Sequence, residues 1–358
     1  YPPFGGDDDQ EIIENVLKMK FSFDDDAWVG VSAEAKDLIK KLITRPERRL
    51  TAQEALGHKW FKKVFKNDDI DAYFISATPE DIHFPMAKDC LNAGKHVFLE
   101  KPLSLTLGEA DELVDIAEAN GVKFTIGYSQ RFNPKFAYLK KCLNEGTIGS
   151  PVAGLVSRHI TRSLGTKIGG RIKLSPAAME ATHDLDFLLW CLAPAKPIRV
   201  YSQSAYGVMK DVTGLEDAQW TMVTLDTGVI ITIGAGWTMP PGHPNFSGTW
   251  IEFTGTEGML IMDDTHRDVI LNTMENGIRL PMSSMPGEQV EHVFAGPMHN
   301  EGVHFLDAVA MDKPVMVTPQ QARQVMEVYM AADLSVERNE PVTLPLNSTD
   351  MSSIRIAS

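Results

Sequence analysis

The stretch Gly94-Lys95-His96-Val97-Phe98-Leu99-Glu100-Lys101-Pro102 decides how the surrounding chain folds. Its apolar centre predicts a short buried strand, which ends in an acid, a base and a proline. Proline ends the strand and favours an extended conformation for Lys101. Because ligands of open parallel sheets bind just beyond the carboxyl ends of the strands, Lys101 is placed to touch a substrate. A surface ion pair between Glu100 and Lys101 is the alternative that the local sequence leaves open.

Helices and strands alternate on both sides of this strand. Apolar runs predict strands over residues 72–77 and 122–126. The spacing of apolar residues predicts one helix that ends at Gly94 and another that begins after Thr106. Strands separated by helices are parallel and joined by right-handed crossovers. The order therefore predicts a truncated, Rossmann-like parallel half sheet of an α/β fold over residues 67–150.

Composition excludes several classes of protein. The 358 residues suffice for two or three domains, and 43% hydrophobic with 23% charged residues is typical of a soluble globular protein. A formal net charge of -14 disfavours binding to nucleic acid. Cys90, Cys142 and Cys191 show no metal-ligand spacing, which predicts reduced thiols in a cytoplasmic compartment. No stretch is long enough to span a membrane. From this and from the negative charge, we expect neither a membrane nor a nucleic-acid partner.

The C-terminal half predicts a second domain over residues 151–346, of the α+β class. A strand over 151–160 and a basic glycine loop over 167–173 precede a helix that begins at Ser175-Pro176. The β-rich pattern that follows predicts a mixed or antiparallel open-faced sheet, with one face toward the core and one toward a partner or substrate. The remaining predicted elements are strands at 200–202, 218–225, 229–234, 250–254, 259–262 and 269–271, helices at 299–311 and 319–336, a closing strand at 341–345 and a frayed tail at 347–358.

His183 is the chemically distinctive residue of the helix that begins at Ser175-Pro176. His183 and Asp186 are three residues apart and share one face of this helix, which is otherwise apolar. A polar face on an apolar helix indicates the wall of a cleft, whereas a hydrogen-bonded structural histidine explains the same pattern. The residues alone leave both interpretations open.

Residues 1–66 predict a small all-α segment without a catalytic constellation. Residues 1–61 resemble the C-terminal tail of a Ser/Thr protein kinase domain of the calcium/calmodulin-dependent type. The resemblance rests on Pro2-Pro3-Phe4, Phe21-Ser22-Phe23, Trp28, residues 32–39, Arg49-Leu50-Thr51-Ala52 and residues 55–61. The Ala-Pro-Glu, His-Arg-Asp and Asp-Phe-Gly motifs of that family are absent from the sequence, so we expect no kinase activity.

Most of the chain, from about residue 69 to residue 346, resembles the Gfo/Idh/MocA (glucose-fructose oxidoreductase/inositol dehydrogenase) family. The residues that carry the resemblance are Thr78-Pro79, His83, residues 94–97, Glu100-Lys101-Pro102, residues 127–134 and residues 182–186. The resemblance implies hydride transfer between NAD or NADP and a carbon of a sugar, inositol or related polyol.

The same resemblance implies roles for individual residues. Lys101 would hold the substrate hydroxyl and His183 would take or give its proton, oriented by Asp186 or Glu180. Many members place an aspartate four residues before that histidine, where this chain has Met179. The residues implied at the nicotinamide are Thr78, Pro79, His83, Glu100 and Lys101. The residues implied at the substrate hydroxyls are Tyr128, Arg131, Arg158 and Lys167, with a solvated surface role as the alternative for Arg158 and Lys167.

The sequence departs from the family at the pyrophosphate site. A Gly-x-Gly-x-x-Gly turn normally precedes the equivalent of Asp71, and no such motif occurs in the chain. The kinase-like segment occupies that place, so the junction over residues 62–69 is typical of a chimera, and we expect impaired cofactor binding. The alternatives are a non-catalytic interaction protein, including a homo-oligomer that uses the open sheet, and a kinase fragment with an appended domain.

Overall fold

The computed structural model describes residues 4, 9–19, 21–24, 26–244, 247–264, 271–275, 277–279, 289–290, 293–294 and 296–353. The chain forms two compact units, Tyr1–Asp71 and Ala72–Ser358. Each unit is described by itself below.

The first unit is helical, as the sequence predicts. Its helices are α1 (Asp9–Leu17), α2 (Ala33–Leu42), α3 (Ala52–Leu56) and α4 (Lys59–Phe65). Ser32 caps α2 by accepting a hydrogen bond from the Ala35 backbone N–H at 3.2 Å. The sequence predicts one helix where α3 and α4 lie. The structure separates them at His58, whose Nδ1 accepts from the Trp60 N–H and begins a new helix.

The second unit begins with the predicted parallel half sheet. Its strands are β1 (Ala72–Ile75), β2 (His96–Leu99) and β3 (Phe124–Ile126), in the order β1-β2-β3 and all parallel. The crossovers are α5 (His83–Asn92) and α6 (Leu107–Asn120). A capping box between Thr106 and Glu109 fixes the start of α6, and Gly121 ends it at a φ of 63°. The half sheet is therefore confirmed, with β1 ending two residues earlier than the pattern predicts.

A seven-stranded mixed sheet follows, in the order β14-β5-β6-β7-β4-β8-β9. The pair β4 and β7 is parallel, and the other neighbours are antiparallel. Its strands are β4 (Pro151–Thr161), β5 (Pro197–Ala205), β6 (Ala218–Leu225), β7 (Ile230–Met239), β8 (Ser247–Gly255), β9 (Met259–Asp263) and β14 (Val342–Thr343). Two short hairpins pair β10 (Leu271–Thr273) with β11 (Gly277–Arg279) and β12 (Gln289–Val290) with β13 (Val293–Phe294). Most of the strand predicted over 269–271 lies outside the described residues.

The helices of this region are α7 (Pro134–Asn144), α8 (Arg162–Gly169), α9 (Thr182–Leu192), α10 (Val208–Thr213), α11 (Pro297–Ala310), α12 (Pro319–Arg338) and α13 (Ser348–Ser353). Helices α9 and α12 pack on one face of the sheet. The opposite face exposes Trp220, Met222 and Ile230, so the predicted open face is confirmed.

Two predictions about irregular segments are wrong. The predicted loop over 167–173 overlaps α8, which forms because Gly165 lets the helix lie against Trp237: a Cβ there would come within 2.3 Å of the indole. The predicted frayed tail contains α13, which is tied to α12 by an Arg338–Asp350 ion pair at 2.6 Å.

The cysteines and the lengths of the helices can be compared with the expectations from composition. Cys90, Cys142 and Cys191 are free and buried, and the apolar helical patterns around Cys90 and Cys191 predict this burial for those two. Across the described ranges, no helix combines the length and the apolar character that crossing a bilayer requires.

Candidate active site

The turns that follow the three parallel strands lie at one edge of the half sheet. Hydrogen bonds of 2.8 Å from Glu100 N to Ile75 O and from Gly127 N to Leu99 O continue the strand pairing up to these turns. The turns contain Thr78-Pro79 after β1, Lys101 after β2 and Tyr128 after β3. The sequence places these residues correctly at the carboxyl ends of the strands.

His83 joins two of these turns. Its Nδ1 lies 2.9 Å from the carbonyl oxygen of Pro102, and its Nε2 lies 2.9 Å from that of Ala77. With both ring nitrogens on backbone oxygens, His83 holds the turns together and presents no free nitrogen to a nicotinamide. An ion pair between Glu80 and Arg171 joins the segment after β1 to the segment after α8. The sequence pattern did not indicate this pair.

Lys101 reaches the turn that leads into α9, the helix that carries His183. Its Nζ donates to the carbonyl oxygen of Met179 at 2.8 Å and lies 3.4 Å from the Met179 Sδ. Met179 belongs to a π-helical turn, Ala177–Ala181, that leads directly into α9. Such turns are frequent at functional sites because they re-aim side chains within a helix. Lys101 is thereby fixed one turn before His183.

His183 lies near the beginning of α9 with its side chain only partly exposed. Its Nδ1 is buried and has no hydrogen-bond partner among the described residues. Burial and the positive charges of Lys101 and Arg158 lower the pKa of His183 well below its ordinary value. The ring of Tyr128 meets the imidazole edge-on, with the centroids 6.0 Å apart. His183 is therefore a neutral imidazole held between cations.

Tyr128 is buried and its position is fixed. Its hydroxyl lies 2.8 Å from the Thr182 Oγ1, and burial raises the pKa of the phenol. Thr182 immediately precedes His183, so this contact anchors the first turn of α9 to the turn after β3.

The structure does not bring Asp186 or Glu180 to the His183 ring. Both carboxylate oxygens of Asp186 accept from Arg131, at 2.8 and 2.6 Å. Glu180 accepts instead from the indole N–H of Trp237 at 3.0 Å. The expectation that either carboxylate orients His183 is corrected accordingly. The physical reason is that Arg131 and Trp237 are buried donors that require acceptors.

Arg131 and Arg158 are likewise not free for substrate hydroxyls in the way the resemblance implies. Arg158 Nε and Nη2 donate to the two carboxylate oxygens of Asp184 at 2.7 and 2.8 Å. The Gln130 amide nitrogen donates to the His183 carbonyl oxygen at 3.1 Å, and its oxygen accepts from Arg158. These buried contacts also exclude the alternative of a solvated surface role for Arg158. Lys167 is exposed on α8, as that alternative predicts for it.

Sequence reasoning found Glu100 but missed Glu301, a carboxyl close enough for the charge of Glu100 to act on it. Burial raises the pKa of Glu100, and burial with the charges of Glu100 and Asp186 raises the pKa of Glu301 to about 9. The Oε1 of Glu301 is buried without a partner. The available signal was position: Glu301 precedes the buried Phe305 by one helical turn, so a carboxyl interrupts an apolar face.

Gly127 leaves the space that the carboxyl group of Glu100 occupies. A Cβ at this position would come within 3.0 Å of the Glu100 carboxyl group. The absence of a side chain lets the carboxyl lie directly over the turn after β3.

The residues present fit the nicotinamide end of a dinucleotide. The turns after β1 and β2 offer Thr78, Pro79 and Lys101, and the buried, unpartnered oxygen of Glu301 is a polar atom that a ligand amide would satisfy. For the pyrophosphate end, the sequence contains no Gly-x-Gly-x-x-Gly turn.

Two family models match the chain. One, described as "Oxidoreductase family, NAD-binding Rossmann fold", matches residues 27–128, and one for the GFO/IDH/MocA C-terminal domain matches residues 136–261. The first match starts well before residue 69, the predicted start of the family resemblance. The kinase resemblance of residues 1–61 stays a prediction.

Relatives of known activity are similar over most of the chain. Scyllo-inositol 2-dehydrogenase (NAD(+)) of Bacillus subtilis is 27% identical over 303 residues, which are 82% of this chain and 84% of the relative. The 1,5-anhydro-D-fructose reductase of Ensifer adhaerens is 32% identical over 250 residues, 65% of this chain and 71% of the relative.

A solved structure shares the fold. Scyllo-inositol dehydrogenase from Lactobacillus casei, with bound NAD(H) and scyllo-inositol, superposes with a TM-score of 0.68 at 21% identity. The match covers 88% of this chain and 97% of that structure. At this identity the likeness shows the architecture alone.

Proposed function

Because the chain belongs to the Gfo/Idh/MocA family of oxidoreductases, we propose that it transfers a hydride between a nicotinamide cofactor and one carbon of a sugar, inositol or related polyol. The observation that carries this proposal is the placement of Lys101. Its ammonium group lies at the carboxyl end of β2, bonded to Met179 and close enough to His183 to lower the pKa of the imidazole.

Each residue of the site has a defined task in this proposal. Lys101 donates a hydrogen bond to the reacting oxygen of the substrate and stabilises negative charge that develops there. In reduction the hydride adds to the carbonyl carbon and the Lys101 ammonium group gives a proton to the oxygen; in oxidation the hydride returns to the nicotinamide and the hydroxyl proton passes to the Lys101 amine. His183 forms a hydrogen bond to the same oxygen. Tyr128, Thr182 and the Arg158–Asp184 pair hold α9 in place, and therefore act on the substrate through His183.

We assign the cofactor as NAD, with the nicotinamide beside Thr78, Pro79, Glu100 and Lys101. When bound, the nicotinamide supplies or accepts the hydride. The relatives from Bacillus subtilis and Lactobacillus casei, which are NAD-dependent or NAD-bound, support this choice over NADP. The missing glycine turn predicts weaker binding than an intact dinucleotide fold provides, since backbone N–H groups at a helix N-terminus normally hold the pyrophosphate.

A titration with NADH and with NADPH, followed by cofactor fluorescence, tests the cofactor assignment. Saturable micromolar binding of NADH by the folded chain supports it. Absence of binding by a chain that circular dichroism shows to be folded would refute it and favour the non-catalytic alternative.

Turnover provides the second test. We expect His183→Gln and Lys101→Met to lower kcat by about 10²-fold or more while the Kd of NADH changes little. The matched control is Lys141→Met, which removes an exposed lysine of α7 that no part of the proposal uses. Unchanged kcat in the first two variants would remove these residues from the reaction.

We also propose that the chain forms a homo-oligomer through the open face of the mixed sheet. Trp220 and Met222 on β6 and Ile261 on β9 are 44%, 46% and 50% exposed, an unusual concentration of large apolar side chains on one sheet. A second copy would cover them. Analytical ultracentrifugation of the Trp220→Glu variant tests this proposal: dissociation of an oligomer supports it, and a wild-type chain that is monomeric at micromolar concentration refutes it.

A further inference from the structure

The position of the proton on His183 follows from its surroundings. A neutral imidazole carries one N–H, on Nδ1 or on Nε2. Within the part of the chain that the structure describes, the Nδ1 of His183 is buried and has no partner, so a proton there would be an orphaned buried donor, which folded proteins avoid. The favoured tautomer therefore carries its proton on Nε2. Nε2 then carries the only N–H donor of the ring.

The charges around the ring disfavour a second proton. Lys101 and Arg158 are the cations that act on His183, and both lower the pKa of its imidazolium form. The neighbouring carboxylates are bonded to other partners: Asp184 pairs with Arg158, Asp186 pairs with Arg131, and Glu180 accepts from the indole N–H of Trp237. Tyr128 meets the ring edge-on, and its hydroxyl is hydrogen-bonded to the Thr182 hydroxyl and not to His183. No carboxylate among these residues accepts a proton from Nδ1.

Met179 contributes to the lack of a hydrogen-bond acceptor at the Nδ1 of His183. It lies in the π-helical turn that leads into α9, four residues before His183. Its side chain belongs to a buried apolar cluster with Trp237 and Ile168, so it brings no acceptor to Nδ1. Its carbonyl oxygen and sulfur instead hold the ammonium group of Lys101.

We propose that this site recognises the carbonyl form of its substrate, a keto-polyol, because Lys101 and the Nε2–H of His183 both offer donors to the reacting oxygen. A carbonyl oxygen accepts two hydrogen bonds, whereas a hydroxyl must also place its own proton on an acceptor. The inference rests on the proposed function, which supplies the reacting oxygen, and it adds the chemical state in which the substrate binds.

The tautomer can be measured without substrate or cofactor. Long-range ¹H–¹⁵N NMR spectra of the full chain distinguish a protonated Nε2 from a protonated Nδ1, and the spectrum of His183→Gln identifies the resonances that belong to His183. We expect the Nε2–H form in the wild-type chain and in Met179→Leu, which keeps the volume of the side chain. Met179→Asp supplies an acceptor and should shift the proton to Nδ1. A wild-type chain with the proton on Nδ1 would overturn the inference.

Substrate preference is measured by calorimetry on complexes that cannot react: the alcohol is titrated into the chain saturated with NADH, and the ketone into the chain saturated with NAD. The probes are scyllo-inositol and the ketone formed by oxidising one of its ring carbons. We expect the ketone to bind about tenfold more tightly than the alcohol, the value of roughly one hydrogen bond, and Met179→Asp to reduce that ratio. Equal or tighter binding of the alcohol with Nε2 protonated contradicts the inference. Binding of neither probe, together with no binding of NADH, contradicts the proposed function instead.

Discussion

Arg158 and Asp184 form a two-point ion pair, at 2.7 and 2.8 Å, beside the peptide that carries His183. Arg158 comes from β4 and Asp184 directly follows His183 in α9, so the pair fixes the histidine against the sheet. Both partners are buried, and Gln130 adds contacts to Arg158 and to the His183 carbonyl oxygen. The pair therefore does two things: it positions His183 and keeps a positive charge near its ring.

Arg158→Gln should raise the pKa of His183. The guanidinium is one of two cations that lower this pKa, so its removal makes protonation of the imidazole easier. NMR titration of the His183 ring protons measures the change. Arg323→Gln is the matched control, because Arg323 pairs with Asp111 and is not among the charges that shift His183.

The experiment needs a control for folding of the Arg158→Gln variant. Removing one partner of a buried ion pair costs about 3–5 kcal/mol, so circular dichroism must show that Arg158→Gln is folded. Arg158→Lys keeps the charge and loses the two-point geometry, and should leave the pKa low. A pKa of His183 that does not move in folded Arg158→Gln would contradict the electrostatic part of the argument.

His183 should make the fold less stable as the pH falls. Its folded-state pKa lies below the ordinary value of 6.5, so below that pH the unfolded chain binds a proton that the folded chain refuses. The free energy of unfolding should fall relative to that of His183→Gln, by at most about 1.4 kcal/mol per pH unit. Urea denaturation of both proteins between pH 7.5 and pH 5 measures the difference. Parallel pH curves for the two proteins are the result that would speak against a depressed pKa.

Gly127→Ala should displace Glu100. The added Cβ would lie 3.0 Å from two atoms of the Glu100 carboxyl group and 3.1 Å from the third, and crowding of a buried site costs about 1–3 kcal/mol. Gly108→Ala is the matched control, because a Cβ there meets no atom within 4 Å and alanine favours the helix. Urea denaturation and the Kd of NADH should both change in Gly127→Ala alone. Equal stability of the two variants would mean that Glu100 moves aside without cost.

The pattern of the sequence predicts helices and strands better than it predicts which side chains pair with each other. The strand that ends at Leu99, its parallel neighbours and the helix that carries His183 all follow from local periodicity. The capping box at Thr106 is local as well, because its two residues are three apart. Such features depend on neighbours in sequence, which a single chain displays directly.

Side-chain partners depend on distance in space instead. Asp186 lies on the same face as His183 in the sequence, yet it pairs with Arg131, 55 residues away. Arg158 and Asp184 are 26 residues apart, and no local pattern links them. The buried position of an arginine becomes visible only when the sheet and α9 are packed together. That is why two arginines expected at the substrate turned out to neutralise aspartates.

Glu301→Gln should stabilise the chain increasingly as the pH rises. The pKa of Glu301 is raised from 4.5 to about 9 in the fold, because the carboxyl is buried near Glu100 and Asp186. Between these values the unfolded chain releases a proton that the folded chain keeps, so the free energy of unfolding of the wild-type chain falls as the pH rises.

Glutamine keeps the shape of the side chain and has no proton to release, so its stability should lack this component. Urea denaturation at pH 5.5 and pH 8 should show the difference between variant and wild type growing by on the order of 1 kcal/mol per pH unit in favour of glutamine. Glu145→Gln, at an exposed position at the end of α7, is the control and should show no such trend. A difference that is the same at both pH values would mean that Glu301 is ionised in the fold, and its charge would then have to be balanced within the site by Lys101.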